Sequence, residues 1–120
     1  MVKEDQFKIT KKWLRERGCS PEEVEKYSGH YLIQRWTYGA KKRAQSEAAS
    51  YDVLTQRGDF DVVKYSIHKF IGCIKEAPFE ITEESIDQLP DFLGELIEDK
   101  IDSVIGITPD QVKNLGLQLS

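Results

Sequence analysis

Tyr31-Leu32-Ile33-Gln34-Arg35-Trp36-Thr37-Tyr38 is the stretch on which the fold turns. Its Tyr, Ile, Trp and Thr are β-formers and suit a strand. The same run can also continue as helix, because the periodicity of a short apolar segment does not separate the two. Most of the sequence around it has helical spacing. The expected fold class is therefore mainly α: a compact bundle of five or six mostly short helices, with at most a minor strand pair near residues 31–38.

Upstream, Phe7 to Gly18 ends as a short helix. Thr10 is placed to cap it, Trp13 and Leu14 give a small apolar face, and Gly18 stands where a left-handed residue closes a helix. Ser20-Pro21-Glu22-Glu23 is a stronger start, with Ser20 as N-cap, Pro21 in the first turn and Glu23 completing a capping box. Ser28-Gly29 closes that helix. Downstream, residues 39–51 repeat Ala40, Ala44, Ala48 and Tyr51 at helical spacing, and Gly58-Asp59 breaks the chain. From Asp61 a helix over 61–75 is expected to bury Val63, Ile67, Phe70, Ile71 and Ile74. Pro78 stops it. Thr82-Glu83-Glu84 opens a short helix with acids where the macrodipole favours them. A long one follows Leu89-Pro90, with Leu93, Leu96, Ile97, Ile101, Val104 and Ile105 on one face and Gly106 at its end. Thr108-Pro109-Asp110-Gln111 is a further capping box, and Leu115, Leu117 and Leu119 are apolar enough to dock.

A length of 120 residues suits a single domain. It divides into a basic helical segment at 1–30, a helical core at 31–106 and a tail at 107–120. The net charge is −4 and unevenly spread: residues 1–43 hold 11 Lys/Arg against 6 Asp/Glu, residues 44–120 hold 6 against 15. Such polarity suits an uneven solvated surface, a basic end for nucleic acid, or copies meeting head to tail. Met1-Val2-Lys3-Glu4-Asp5 lacks the apolar region of a signal peptide, and no run approaches the roughly 18 apolar residues of a membrane span. Cys19 and Cys73 are expected to be free thiols, and a cytoplasmic setting is expected.

No catalytic set is present. The sequence has no Gly-rich phosphate loop, no G-x-G-x-x-G, no H-E-x-x-H and no C-x-x-C. His30 reads as a turn residue and His68 as boundary packing. The 11 acids from Glu76 to Asp110 read as a hydrated face, or as a surface that receives a basic partner. No catalytic, cofactor-binding or metal-binding residue is assigned, and the chain is not expected to be an enzyme.

Two stretches remain as binding candidates. In one, Trp36 and Tyr38 interleave with the cations Arg35, Lys41, Lys42 and Arg43, a mix that suits phosphate contact and base stacking. With the capped helix before it, residues 20–43 loosely imitate a helix-turn-helix, although the acidic total charge weighs against nucleic acid. The other runs from Lys75-Glu76-Ala77-Pro78-Phe79 through Thr82 to Leu89-Pro90.

The order Trp36-Thr37-Tyr38-Gly39, a charged Ala-containing helix, Asp59-Phe60-Asp61, Lys75-Glu76-Ala77-Pro78-Phe79, and Thr82-Glu83-Glu84-Ser85-Ile86-Asp87-Gln88-Leu89-Pro90 resembles the tail assembly chaperones of long-tailed phages and related viruses. The likeness covers roughly residues 33–105, with Trp36, Tyr38, Gly39, Pro78, Phe79, Leu89 and Pro90 as its markers. It implies a non-catalytic, self-associating protein that binds the tape measure protein and recruits tail tube subunits in the host cytoplasm. Residues 1–30 depart from it, since many members begin with a short strand pair. The alternatives are a small DNA-binding regulator using residues 20–43 and a minor structural component of the virion.

Overall fold

A computed structural model describes residues 4–52 and 56–106. The order of elements is β1 (Glu4–Ile9), α1 (Lys11–Glu16), α2 (Pro21–Tyr27), β2 (Gly29–Gln34), α3 (Tyr38–Ala48), β3 (Ala49–Asp52), β4 (Arg57–Phe60), α4 (Val62–Cys73), β5 (Ile74–Glu76), α5 (Glu83–Asp87) and α6 (Asp91–Ile105).

The apolar run at 31–38 is two things joined. Residues up to Gln34 form β2, the middle strand of an antiparallel sheet ordered β1-β2-β5. Thr37 caps α3, its hydroxyl accepting from the Ala40 N–H. Alternation fixes the face of β2: Tyr31 and Ile33 are fully buried, whereas His30, Leu32 and Gln34 point away from the core. β1 follows the same period, with Glu4, Gln6 and Lys8 outward and Phe7 and Ile9 inward. Phe7 lies opposite Tyr31, and their rings stack at 5.2 Å. A second, two-stranded ladder pairs β3 with β4, from Ala49↔Phe60 to Asp52↔Arg57.

The chain is thus a mixed α/β fold of six helices and a three-stranded sheet among the described residues, and not a mainly α bundle with a minor strand pair near residues 31–38. Neither neighbour of β2 has a strong strand signature of its own. β1 is half charged, and β5 is a three-residue end to what sequence spacing makes the last turn of a 61–75 helix. Both form because a central strand must pair its backbone groups on two edges. Ile74, expected on the buried face of that helix, is buried instead opposite Ile33 in the sheet. Residues 1–30 are not simply helical either, since β1 is an edge of the sheet. His30 sits in β2, and its Nδ1 is 3.4 Å from Glu76 on β5. Gly58 and Asp59, expected to break the chain, lie in β4.

The helix ends follow the sequence more closely. Thr10, Ser20 and Thr82 cap α1, α2 and α5, with reciprocal capping boxes at Ser20–Glu23 and Thr82–Ser85. Gly18 and Gly106 take φ of 81° and 92°, the left-handed region where glycine is favoured. The capping box at Thr108 and the leucines of the tail lie outside the described residues.

α6 crosses the inner face of the sheet and buries Leu93, Ile97, Ile101 and Val104. α3 packs closely on α4, because Gly72 leaves room for Trp36: a Cβ there would come within 3.1 Å of the indole. α4 and α6 are tied by Lys69 and Asp102, 3.0 Å apart with side chains 11% and 18% exposed. Desolvated this far, each charge depends on the other. Asp102→Asn is expected to cost about 3 kcal/mol, read as a lower urea midpoint. The double variant Lys69→Met/Asp102→Leu, which removes both charges, is expected to recover most of it.

Candidate protein-docking groove

α4 begins at the Asp61 cap, whose side chain accepts from the Lys64 N–H. Val62 and Val63 in its first turn are 61% and 64% exposed. Val63 was expected on the buried face by its spacing to Ile67. It is exposed because the helix enters the core only further along, where Phe70 and Cys73 are buried. α5 and the start of α6 run alongside, leaving two adjoining open depressions of about 410 and 380 Å³ that share Val63, Ile67 and Asp87.

The floor of this groove is apolar, with Val62, Val63 and Ile67 on one side and Ile86, Leu89 and Pro90 on the other. Its rim is acidic: Asp61, Glu83, Glu84, Asp87, Asp91, Glu95 and Glu98 stand against Lys64 as the single cation among the lining residues. Two features hold the α5 wall in place. His68, on α4, pairs through Nε2 with Glu83, and Ile86 is buried beneath. Lys64 lies 3.9 Å from Glu47 of α3, so part of its charge is directed away from the rim. An apolar strip under a fringe of like charge has the make-up of a protein contact surface.

The residues singled out in the sequence divide between this groove and the joints of the fold. Leu89 and Pro90 line the groove, and Pro90 also starts α6. Trp36 is buried, edge-on to Tyr65 at 6.0 Å. Phe79 packs edge-on against Tyr27 and Tyr31, and Pro78 closes over Gly29. Gly39 is half-buried, and a Cβ there would meet the flexible end of the Arg43 side chain. Tyr38, expected as a structural marker, is 77% exposed at the start of α3. Lys42 Nζ lies 5.4 Å from the centroid of its ring, and Arg35, Lys41 and Arg43 are exposed too. Sequence reasoning marked Leu89, Pro90 and the acids, but missed Val62 and Val63. No local signal distinguishes them, since Val63 has the helical spacing to Ile67 and Phe70 that a buried residue would have.

Other chemistry is limited. α2 and α3 are separated by residues 28–37, which include the strand β2, rather than by a short turn, so residues 20–43 do not form a helix-turn-helix. Among the described residues no group of three or more metal-ligating side chains converges, and no helix is long and apolar enough to cross a membrane. Burial pushes the Cys73 thiol up to about 11, and burial also raises Cys19, with Glu23 adding to it. Neither is an activated thiolate.

Because the native state holds the Cys73 proton more tightly than the unfolded chain, its contribution to stability is present below about pH 9 and lost as pH rises towards about 11. Native protein at pH 8 is expected to label slowly with iodoacetamide at Cys19 and not at Cys73, with both reacting in urea. Rapid labelling of Cys73 in the native state contradicts this.

Compared with known proteins, the chain matches no family model, no curated protein and no solved structure.

Proposed function

We propose that the chain is a non-catalytic protein-binding domain of the tail assembly chaperone kind. It holds the tape measure protein of a virus in the host cytoplasm and recruits tail tube subunits while the tail is built. The observation that carries the binding reading is the groove, with Val62 and Val63 exposed beneath a rim of carboxylates. Each valine that a partner covers recovers about 1.5 kcal/mol of hydrophobic free energy. A long helical client presents apolar stripes that aggregate when bare. A small domain that covers such a stripe with an apolar strip and turns acids to water keeps the pair dispersed.

The viral context comes from the sequence likeness spanning Trp36 to Pro90. The antiparallel pair β1–β2 near the start of the chain is compatible with the strand pair that opens many members of that family. The likeness at Leu89-Pro90 falls in the groove wall itself. The rim selects segments with Lys or Arg beside their apolar positions, so binding weakens as salt screens the charges.

Co-expression with the tape measure protein tests this. The wild-type chain is expected to bring the client into the soluble fraction. Val62→Asp/Val63→Asp, at exposed positions that leave the core intact, is expected to lower the soluble client at least tenfold. A variant that keeps the client soluble as well as wild type overturns the groove as the binding site. A client that is equally insoluble with and without the wild-type chain overturns the chaperone reading.

A further inference from the structure

The two aromatics that interleave with the cations of residues 35–43 are separated by the fold: Trp36 is buried, whereas Tyr38 is 77% exposed. Tyr27, Tyr31 and Tyr65 each pack against another ring; among the described residues Tyr38 packs against none. Its neighbour is a charge instead, Lys42 Nζ, 5.4 Å from the ring centroid. Lys41 and Lys42 follow Tyr38 by three and four residues, the spacing that shares one face of a helix. Arg43 folds back along α3, so that a Cβ on Gly39 would lie 3.4 Å from its guanidinium. Arg35, also exposed, stands three residues before the helix. These cations are not neutralised within the molecule. Lys11, Lys12, Lys64, Lys69 and Lys100 each have a carboxylate within 4.0 Å, but among the described residues Arg35, Lys41, Lys42 and Arg43 have none. The one acid of α3, Glu47, lies 3.9 Å from Lys64. A chain of net charge −4 thus carries, from Arg35 to Ser46, four cations and no acid.

We propose that this face of α3 binds single-stranded nucleic acid, with an unpaired base stacked on Tyr38 and the adjoining phosphates held by the lysines and arginines. Each feature has a use in that partner. The open ring matches the face of a base, and such stacking tolerates any base. Cations without internal partners are free to displace the counterions of a phosphate backbone, which is the main source of affinity. The strand must be single, because a duplex hides its base faces in its own stack. Nor does α3 enter a duplex groove as a recognition helix, since Ala44 and Ala48 are buried and no helix-turn-helix frames it. An acidic peptide satisfies the cations but gives the tyrosine no planar partner, so the ring favours a nucleotide. The face shares no residue with the groove, whose carboxylates repel the same strand and confine it to α3. Client binding in the groove and strand binding on α3 are therefore independent.

The test is fluorescence anisotropy of labelled oligothymidylate and oligouridylate, each about 12 nucleotides long, titrated with the full chain. Binding is expected at about 50 mM salt and is expected to weaken roughly tenfold at about 200 mM, as engagement of about three phosphates requires. Tyr38→Leu keeps the apolar bulk without the ring and is expected to weaken binding about tenfold. Tyr38→Trp is expected to preserve it. Lys41→Gln/Lys42→Gln is expected to weaken binding and to flatten the salt slope by about 1.4. Lys11→Gln/Lys12→Gln removes the same charge from α1 and is expected to leave binding near wild type. All these side chains are exposed, so melting temperatures are expected to stay close to wild type. Failure to bind either strand at the lower salt overturns the proposal. So does a duplex that binds as tightly as the single strand, or a Tyr38→Leu variant that binds as well as wild type. Polyglutamate or phosphatidylserine vesicles that compete as well as unlabelled strand assign the face to an acidic protein or a membrane surface, and equally overturn it.

Discussion

Tyr31 and Ile33, side by side on the inner face of β2 and both sealed from water, join what would otherwise be two unconnected halves. On one side Tyr31 stacks on Phe7 of β1, and its hydroxyl donates to the Tyr27 carbonyl at the end of α2. On the other, Ile33 pairs with Ile74 of β5. Phe79 fills the space between Tyr27 and Tyr31, and α6 lies over the sheet. A side-chain period of two leaves no tolerance here: a slip of one residue would turn Tyr31 and Ile33 to solvent and bring His30 and Leu32 inward. The positions of α4 and α6, and so of the groove between them, follow from that register.

The sequence was most informative where a local signal was also sufficient. Capping hydroxyls and the glycines after α1 and α6 act through bonds within a few residues, and the structure places them as the pattern indicates. The sheet was poorly legible because its outer strands are made by their neighbour. Glu4–Ile9 is too charged to announce a strand, and Ile74–Glu76 is short enough to read as helix. The two C-caps that are themselves the first residue of a strand, Ala49 and Ile74, are extended without a glycine, so no residue type marks the change there. Tertiary pairing decided these segments over their local preference.

The groove was half legible for a related reason. Its acids and its Leu89-Pro90 wall are visible as composition and punctuation, but whether a helical apolar residue is covered depends on where the core ends. Val63 has the same spacing to the buried face as its neighbours and still lies outside it. The charge asymmetry along the chain becomes a spatial one, because α3 carries the cations and the α5–α6 region carries the carboxylates, each against α4. α4 thus stands between two surfaces of opposite sign.

That helix has a mechanical property of its own. β5 begins at the residue after Cys73, with no loop between. Slack is what normally lets a surface helix rock while the sheet stays still. Here a shift of α4 along its axis must drag the edge strand with it or unwind the last turn, where Cys73 is held against the Trp36 backbone. The groove and the sheet are rigidly geared, and a load on the exposed first turn of α4 is felt at Ile33.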